Sequence, residues 1–349
     1  MKRDGGRGMG DELLPPTACP ERQRRVHPPS PFPLPHLVVT LLLLPATALA
    51  HDGRPVEPHD LWRAWSWEPW VVLGLALSAW LYARGALAIR RGARGRERRL
   101  VPMAPPAAGG RREAAWFAAG WAALAAALVS PLHALGGALF SAHMAQHELL
   151  MVVAAPLLVL GRPLVPALWA LPPGWRRRAG AAARPPAARA VWGALTAPLP
   201  ATIVHGAAIW AWHMPALYQA SLASEGAHAL QHASFLGTAL LFWWAFLRGG
   251  ARRRRAAAGV AVLCLFFTTL HTGVLGAFLT FSGSLWYPAY GATTAPWGLM
   301  PLDDQQLAGL IMWIPGGIAY TVAGLAFLAR LLRDETRTSE PSYAHSIAS

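Results

Sequence analysis

Apolar and polar residues alternate along this chain in long blocks rather than residue by residue. Residues 1–36 are polar, Pro-rich and basic, and a short apolar run from Leu37 to Leu44 then leads into Pro45 and Ala46-Thr47-Ala48-Leu49-Ala50. A basic region, an apolar core and a small-residue Ala-x-Ala end are the layout of a secretory signal peptide. Cleavage after Ala50 makes His51 the mature N-terminus. Seven longer apolar runs follow, near residues 70–89, 114–131, 140–160, 191–212, 227–247, 257–280 and 306–329. Each is close to the roughly 20 residues a helix needs to cross a bilayer. In lipid the backbone must satisfy its own hydrogen bonds, and runs of this length do so as helices. The pattern predicts an all-α, polytopic membrane helix bundle with seven transmembrane helices. It divides the chain into a leader (1–50), an outer Trp-rich interfacial segment (51–69), the membrane domain (70–330) and a polar tail (331–349).

Charge gives the bundle a direction. The basic residues are 30 Arg and one Lys, and the net charge is +14. The arginines gather in alternate loops: eight in 90–112, six in 161–190, five in 248–255 and three from 330 onward. The loops after the second, fourth and sixth runs hold none. Arg and Lys mark cytoplasmic loops, so the mature N-terminus lies outside and the tail is cytoplasmic, as in a multi-pass protein of a bacterial-type inner (plasma) membrane. Trp62, Trp65, Trp67 and Trp70 before the first run fit an aromatic belt at the outer interface. Clusters set between apolar runs are topology signals, which argues against nucleic acid as a partner. Only 14% of residues are charged and 54% are hydrophobic, which excludes a disordered chain. Two cysteines, Cys19 and Cys264, exclude a disulfide scaffold.

Histidine carries the candidate chemistry. His143 and His147 are four residues apart, as are His228 and His232, so each pair shares a helix face about 6 Å apart. Both pairs open a span at its outer end, within a weak internal repeat: Ala142-His143-Met144-Ala145-Gln146-His147 recurs as Ala227-His228-Ala229-Leu230-Gln231-His232. His213 ends the fourth run and His205 lies about 12 Å deeper on the same helix. His271 lies within the sixth run, and His133 ends the second. Polar groups in a membrane are costly and face a bundle interior or a cavity, so two pairs at one depth point to a shared site. Imidazole suits copper, zinc or iron, and haem iron takes two His. Met144 and Met214 adjoin site histidines, and thioethers favour copper(I). Cys264, seven residues before His271, reads as a small buried hydrophobe. A mature His51 could chelate copper(II) with its amine and ring. Asp303, Asp304, Gln146 and Gln231 are candidate supporting residues that orient ligands or attract cations, with Glu148 and Glu225 also near. There is no Walker loop, GxSxG or CxxC pair.

In these same stretches the chain resembles the multi-span CtaG family of cytochrome c oxidase assembly proteins. The resemblance rests on His143-Met144-Ala145-Gln146-His147 with Pro156-Leu157-Leu158 and Gly161-Arg162-Pro163, on Trp212-His213-Met214-Pro215 with Leu217-Tyr218, and on His228 through His232. Leu270-His271-Thr272 and Asp304-Gln305-Gln306-Leu307-Ala308-Gly309-Leu310-Ile311-Met312-Trp313 complete it. It covers roughly residues 60 to 330 and implies a role in maturing a haem–copper oxidase. The histidines then suggest copper bound or delivered from the outer side, with an oxidase subunit or a copper chaperone as partner and membrane lipid as surroundings. His143, His147, His213, His228 and His232 are the expected ligands. His205 and His271 would form a deeper position. Two further readings stay open. Three His around zinc with an acid as base would make an intramembrane hydrolase, and facing His would make a haem-handling protein. In a fourth, the histidines only pack in an assembly scaffold.

Overall fold

The structure is a computed structural model and describes residues 55–97, 110–248 and 251–339. The expected leader, His51 and the end of the tail lie outside the described residues. The described residues are helical, with no strand among them: α1 Pro69–Glu97, α2 Arg111–Val129, α3 Pro131–Gly136, α4 Phe140–Glu148, α5 Ala155–Gly161, α6 Leu164–Ala170, α7 Pro173–Ala182, α8 Pro186–Leu195, α9 Pro198–His213, α10 Pro215–Ala223, α11 Glu225–Leu247, α12 Ala251–Thr280 and α13 Pro301–Ser339. Proline punctuates them. Seven of these helices, including α3, α9 and α10, open on Pro, which has no N–H to lose in a first turn.

Among the described residues, five helical stretches are long and apolar enough to cross a membrane: Pro69–Gly92, Phe140–Gly161, Glu225–Leu247, Gly259–Thr280 and Pro301–Arg333. A sixth results if α8 and α9, bent by 61°, count as one span. The expected count was seven. The shortfall has two causes. Pro198 and Pro200 break the fourth run, and α2 spends its first turn on Arg111, Arg112 and Glu113, which leaves its 19 residues too little apolar length. Outward faces are apolar, with Leu263, Phe266, Phe267 and Leu270 all more than half exposed. Trp62 and Trp67 are also exposed, at 81% and 60%.

Two features position the site. The first is the stretch Phe140–Gly161, in which α4 passes into α5 through a π-helical segment, Leu149–Ala154. Pro156 supplies no N–H to the ladder, and such wide turns re-aim the residues on either side. The indole of Trp243 donates to the Met151 carbonyl within that segment at 2.9 Å. Arg248 donates to the Val159 and Leu160 carbonyls at 2.8 Å, placing a cation on the C-terminal end of α5. The second is the contact of α12 with α13, where a Cβ on Gly309 would sit 2.6 Å from the Gly276 carbonyl. Only glycine allows this approach, which is how membrane helices pack closely. It sets α13 so that Asp304, wholly buried, reaches the start of α4. Its carboxylate accepts from the Phe140 N–H at 2.6 Å, the Ser141 N–H at 3.2 Å and the Ser141 hydroxyl. Residue 139 is a leucine and cannot cap the helix, so a carboxylate from another helix does so.

Candidate metal centre

The two HxxxH pairs meet. α4 presents His143 and His147, α11 presents His232 and His228, and α3 adds His133. The ring centroids lie 4.4 Å apart for His143–His147, 5.2 Å for His147–His232, 5.8 Å for His143–His232 and 4.3 Å for His228–His232. His133 stacks on His228 at 5.4 Å. His143, His147 and His232 each offer a ring nitrogen within 4.8 Å of the other two, and all three are buried. Phe235 closes the floor against His147 at 4.6 Å.

Hydrogen bonding fixes which nitrogens are bare. Tyr290 donates to the Gly136 carbonyl at 2.9 Å, so its oxygen accepts from His143 Nδ1 at 3.1 Å. Burial holds the Tyr290 phenol well above its ordinary pKa, which keeps it neutral and able to donate. A neutral imidazole carries one proton, so His143 Nε2 is a lone pair. That atom has no hydrogen-bond partner among the described residues, nor do both ring nitrogens of His147 or the Nε2 atoms of His228 and His232. Buried polar atoms are almost always paired. Five partnerless ring nitrogens lie on four histidines in mutual contact, at most four of them lone pairs since the neutral His147 ring keeps a proton, and such a set can hold a cation. Ligand atoms up to 4.8 Å apart need to close by up to about 1.5 Å to reach metal–imidazole bonds of about 2.0 Å.

A polar rim surrounds the cluster. Gln146 donates to the Ala127 carbonyl at 2.8 Å and to His133 Nδ1 at 2.9 Å. His133 therefore bears its proton on Nε2, which faces Glu68 Oε1 at 3.4 Å. That contact holds the Glu68 carboxyl below its ordinary pKa. Glu68 and His133 are 32% and 16% exposed, so this edge is where the cluster approaches solvent.

The family model of the cytochrome c oxidase caa3 assembly factor, Caa3_CtaG, matches residues 80–334, which take in the whole His cluster. This chain belongs to the Caa3_CtaG family. Two mycobacterial relatives, uncharacterised proteins Mb0105 of Mycobacterium bovis and MT0111 of Mycobacterium tuberculosis, are 27% identical to it over 242 residues, or 66% of this chain. The alignment spans only 36% of those relatives' length. No solved structure matches the chain.

Within this family member, the expected site residues separate into groups. His143, His147, His228 and His232 converge. His213 lies next to them, with Nε2 at 3.4 Å from Met144 Sδ. His205 and His271 stand apart. His205 bonds Thr238 at 3.0 Å and Tyr320 at 3.3 Å, and His271 accepts from Trp210 at 3.3 Å. Met214 is 57% exposed and is not brought to the cluster. Asp304 caps α4, Asp303 is exposed, and Gln231 is buried with neither amide atom paired among the described residues. Glu68, Tyr290 and Tyr218 were missed from sequence. Tyr218 meets Tyr290 at 3.1 Å between hydroxyls. None of these three lies in a His motif. The one sequence hint was that Leu217-Tyr218 belongs to a stretch of the family resemblance.

Proposed function

We propose that this cytochrome c oxidase assembly factor binds copper at His143, His147 and His232, with His228 beside them, and delivers it to an oxidase subunit. The observation that carries the reading is the set of converging ring nitrogens without partners, one of them held as a lone pair by Tyr290. Imidazoles without thiolate or multiple carboxylates suit copper or zinc over magnesium or calcium. The assembly role makes copper the cargo. The metal is a passenger here, and the cluster binds it loosely enough to release it to the next acceptor.

The same reading takes α2 as a further span, giving seven helices in a bacterial-type plasma membrane. The Arg-rich segments face the cytoplasm and the His cluster faces out, as loop charge requires. Residues 1–50 are then a cleaved leader. Glu68 and His133 form the cluster's solvent edge, so copper enters there.

One observation favours a second reading. A group of three His is also the donor set of a catalytic zinc site, which keeps its fourth position for water. A hydrolase needs a base beside that water. Glu148 follows His147, but its carboxylate lies against Gly316, where an added Cβ would meet it at 3.0 Å, and so it points away from the triad's partners. Haem is disfavoured because the imidazoles touch one another, whereas a porphyrin needs them to face across a gap.

The test is the copper content of the oxidase purified from a strain lacking this protein. Oxidase from that strain is expected to be copper-deficient and to recover with the wild-type gene. It should stay deficient with the variant carrying His143, His147 and His232 changed to Ala. Full recovery with that variant would overturn the reading.

A further inference from the structure

Met144 and His213 face each other in a way that no proton explains. His213 Nδ1 lies 2.7 Å from the Ile209 carbonyl oxygen, which can only accept, so the ring proton is on Nδ1. Nε2 is then a lone pair, and 3.4 Å away stands the Met144 thioether, which has no proton either. Both residues are buried, at 3% and 2% exposure. Two electron pairs aimed at one another in a dry interior form no hydrogen bond. A proton on Nε2 would make a buried imidazolium whose surroundings are Phe235, whose ring lies 6.2 Å away, and the site histidines. Phe235 carries no counter-charge, and among the described residues no carboxylate is bonded to His213. A soft cation between the two atoms resolves the arrangement.

We infer that Met144 Sδ and His213 Nε2 form a second metal position, selective for copper(I), beside the triad. This rests on the proposal that copper reaches the His cluster, and adds to it a site with a different donor set. Metal–imidazole and metal–sulfur bonds of about 2.0 and 2.3 Å span a 3.4 Å separation at an angle of about 105°, close to tetrahedral. Thioether sulfur binds copper(I) and gives little to zinc or copper(II), so the pair would select the reduced ion. His147 lies three residues beyond Met144 on α4 and keeps both ring nitrogens without partners. A neutral ring has one lone pair, so His147 serves one position at a time, and turning that single donor nitrogen from the triad towards the Met144–His213 pair hands the ion between them. Ligand exchange of this kind moves no electrons. The ion remains copper(I), and only its bonds to nitrogen and sulfur change.

The test uses the full-length protein in detergent, loaded with copper(I), and reads copper per chain together with the copper absorption-edge fine structure. Wild type is expected to hold about two copper per chain, with a sulfur neighbour at about 2.3 Å. Met144→Leu conserves volume, so it should fold as wild type does while losing the sulfur neighbour and one of the two ions. Zinc-loaded wild type should show nitrogen neighbours alone, a comparison that needs no variant. One copper per chain with nitrogen neighbours only would overturn the second position and leave the His-cluster reading standing. A sulfur signal unchanged in Met144→Leu would also overturn it. No copper in wild type would overturn both.

Discussion

His205 and His147 are the same residue, at 0% and 1% exposure, in the same bundle, yet they live in opposite circumstances. Both ring nitrogens of His205 are spent, one on Thr238 and one on Tyr320. Both ring nitrogens of His147 are without partners among the described residues. The first is how a membrane protein keeps a polar side chain for structure, since every bond it makes offsets the cost of leaving water. The second costs free energy in the metal-free protein, a cost that the proposed ion would remove on binding. Burial of a histidine is therefore no sign of a site. The state of its nitrogens is. By that criterion His205, expected to be a deeper metal position, behaves as part of the framework, while the outer pairs keep ring nitrogens without partners, as the proposed ligand role requires.

The comparison can be broken in several places. The largest effect is expected from His147→Leu, paired with His232→Leu. Copper(I) bound by the purified protein should fall to background, while the melting temperature without metal stays the same or rises, because partnerless polar atoms have been removed. Next is His205→Leu. It orphans the Tyr320 hydroxyl and should lower stability by about 2 kcal/mol in denaturant titration while copper binding persists. Asp304→Asn weakens the charged cap on α4 and should cost about 1.5 kcal/mol in the same titration, with copper affinity reduced through the looser helix. Tyr290→Phe leaves the fold intact but frees the tautomer of His143, and copper(I) affinity measured against a competing chelator should drop about tenfold. The smallest effect belongs to Glu68→Gln at the partly exposed edge, worth under about 1 kcal/mol. The folded pKa of Glu68 lies below its ordinary value, so its contribution is complete at neutral pH and fades only as pH falls below the ordinary carboxylate range. Stability of wild type and Glu68→Gln should therefore converge in acid.

Much of the site was legible because helical spacing puts His143 beside His147 and His228 beside His232, and a shared depth suggested that they meet. What spacing along one helix cannot reveal is the neighbour. Asp304 sits at the start of α13 and looked like a residue at the mouth of the site, but its carboxylate caps α4, which is distant in sequence and begins on an uncapped leucine. Tyr290 comes from an irregular segment between α12 and α13, where no periodicity points a side chain anywhere. Glu68 precedes α1 in a run of tryptophans and carries no motif. The helices themselves followed the apolar runs closely. The exceptions had local causes, in the prolines that bend the fourth run and the charged first turn that shortens the apolar length of α2. Met214 adjoins His213 in sequence but stays on the surface, because the chain turns at Pro215 into α10 and leaves only His213 facing inward.

The central claim is that the outer histidines are ligands. Its most direct test is elemental analysis of the purified protein after copper(I) loading, beside a variant with His143, His147, His228 and His232 changed to Ala. The account predicts stoichiometric copper in the wild type and none above background in a variant that still folds. Equal copper in both, or none in either, would contradict it and return these histidines to the framework alongside His205.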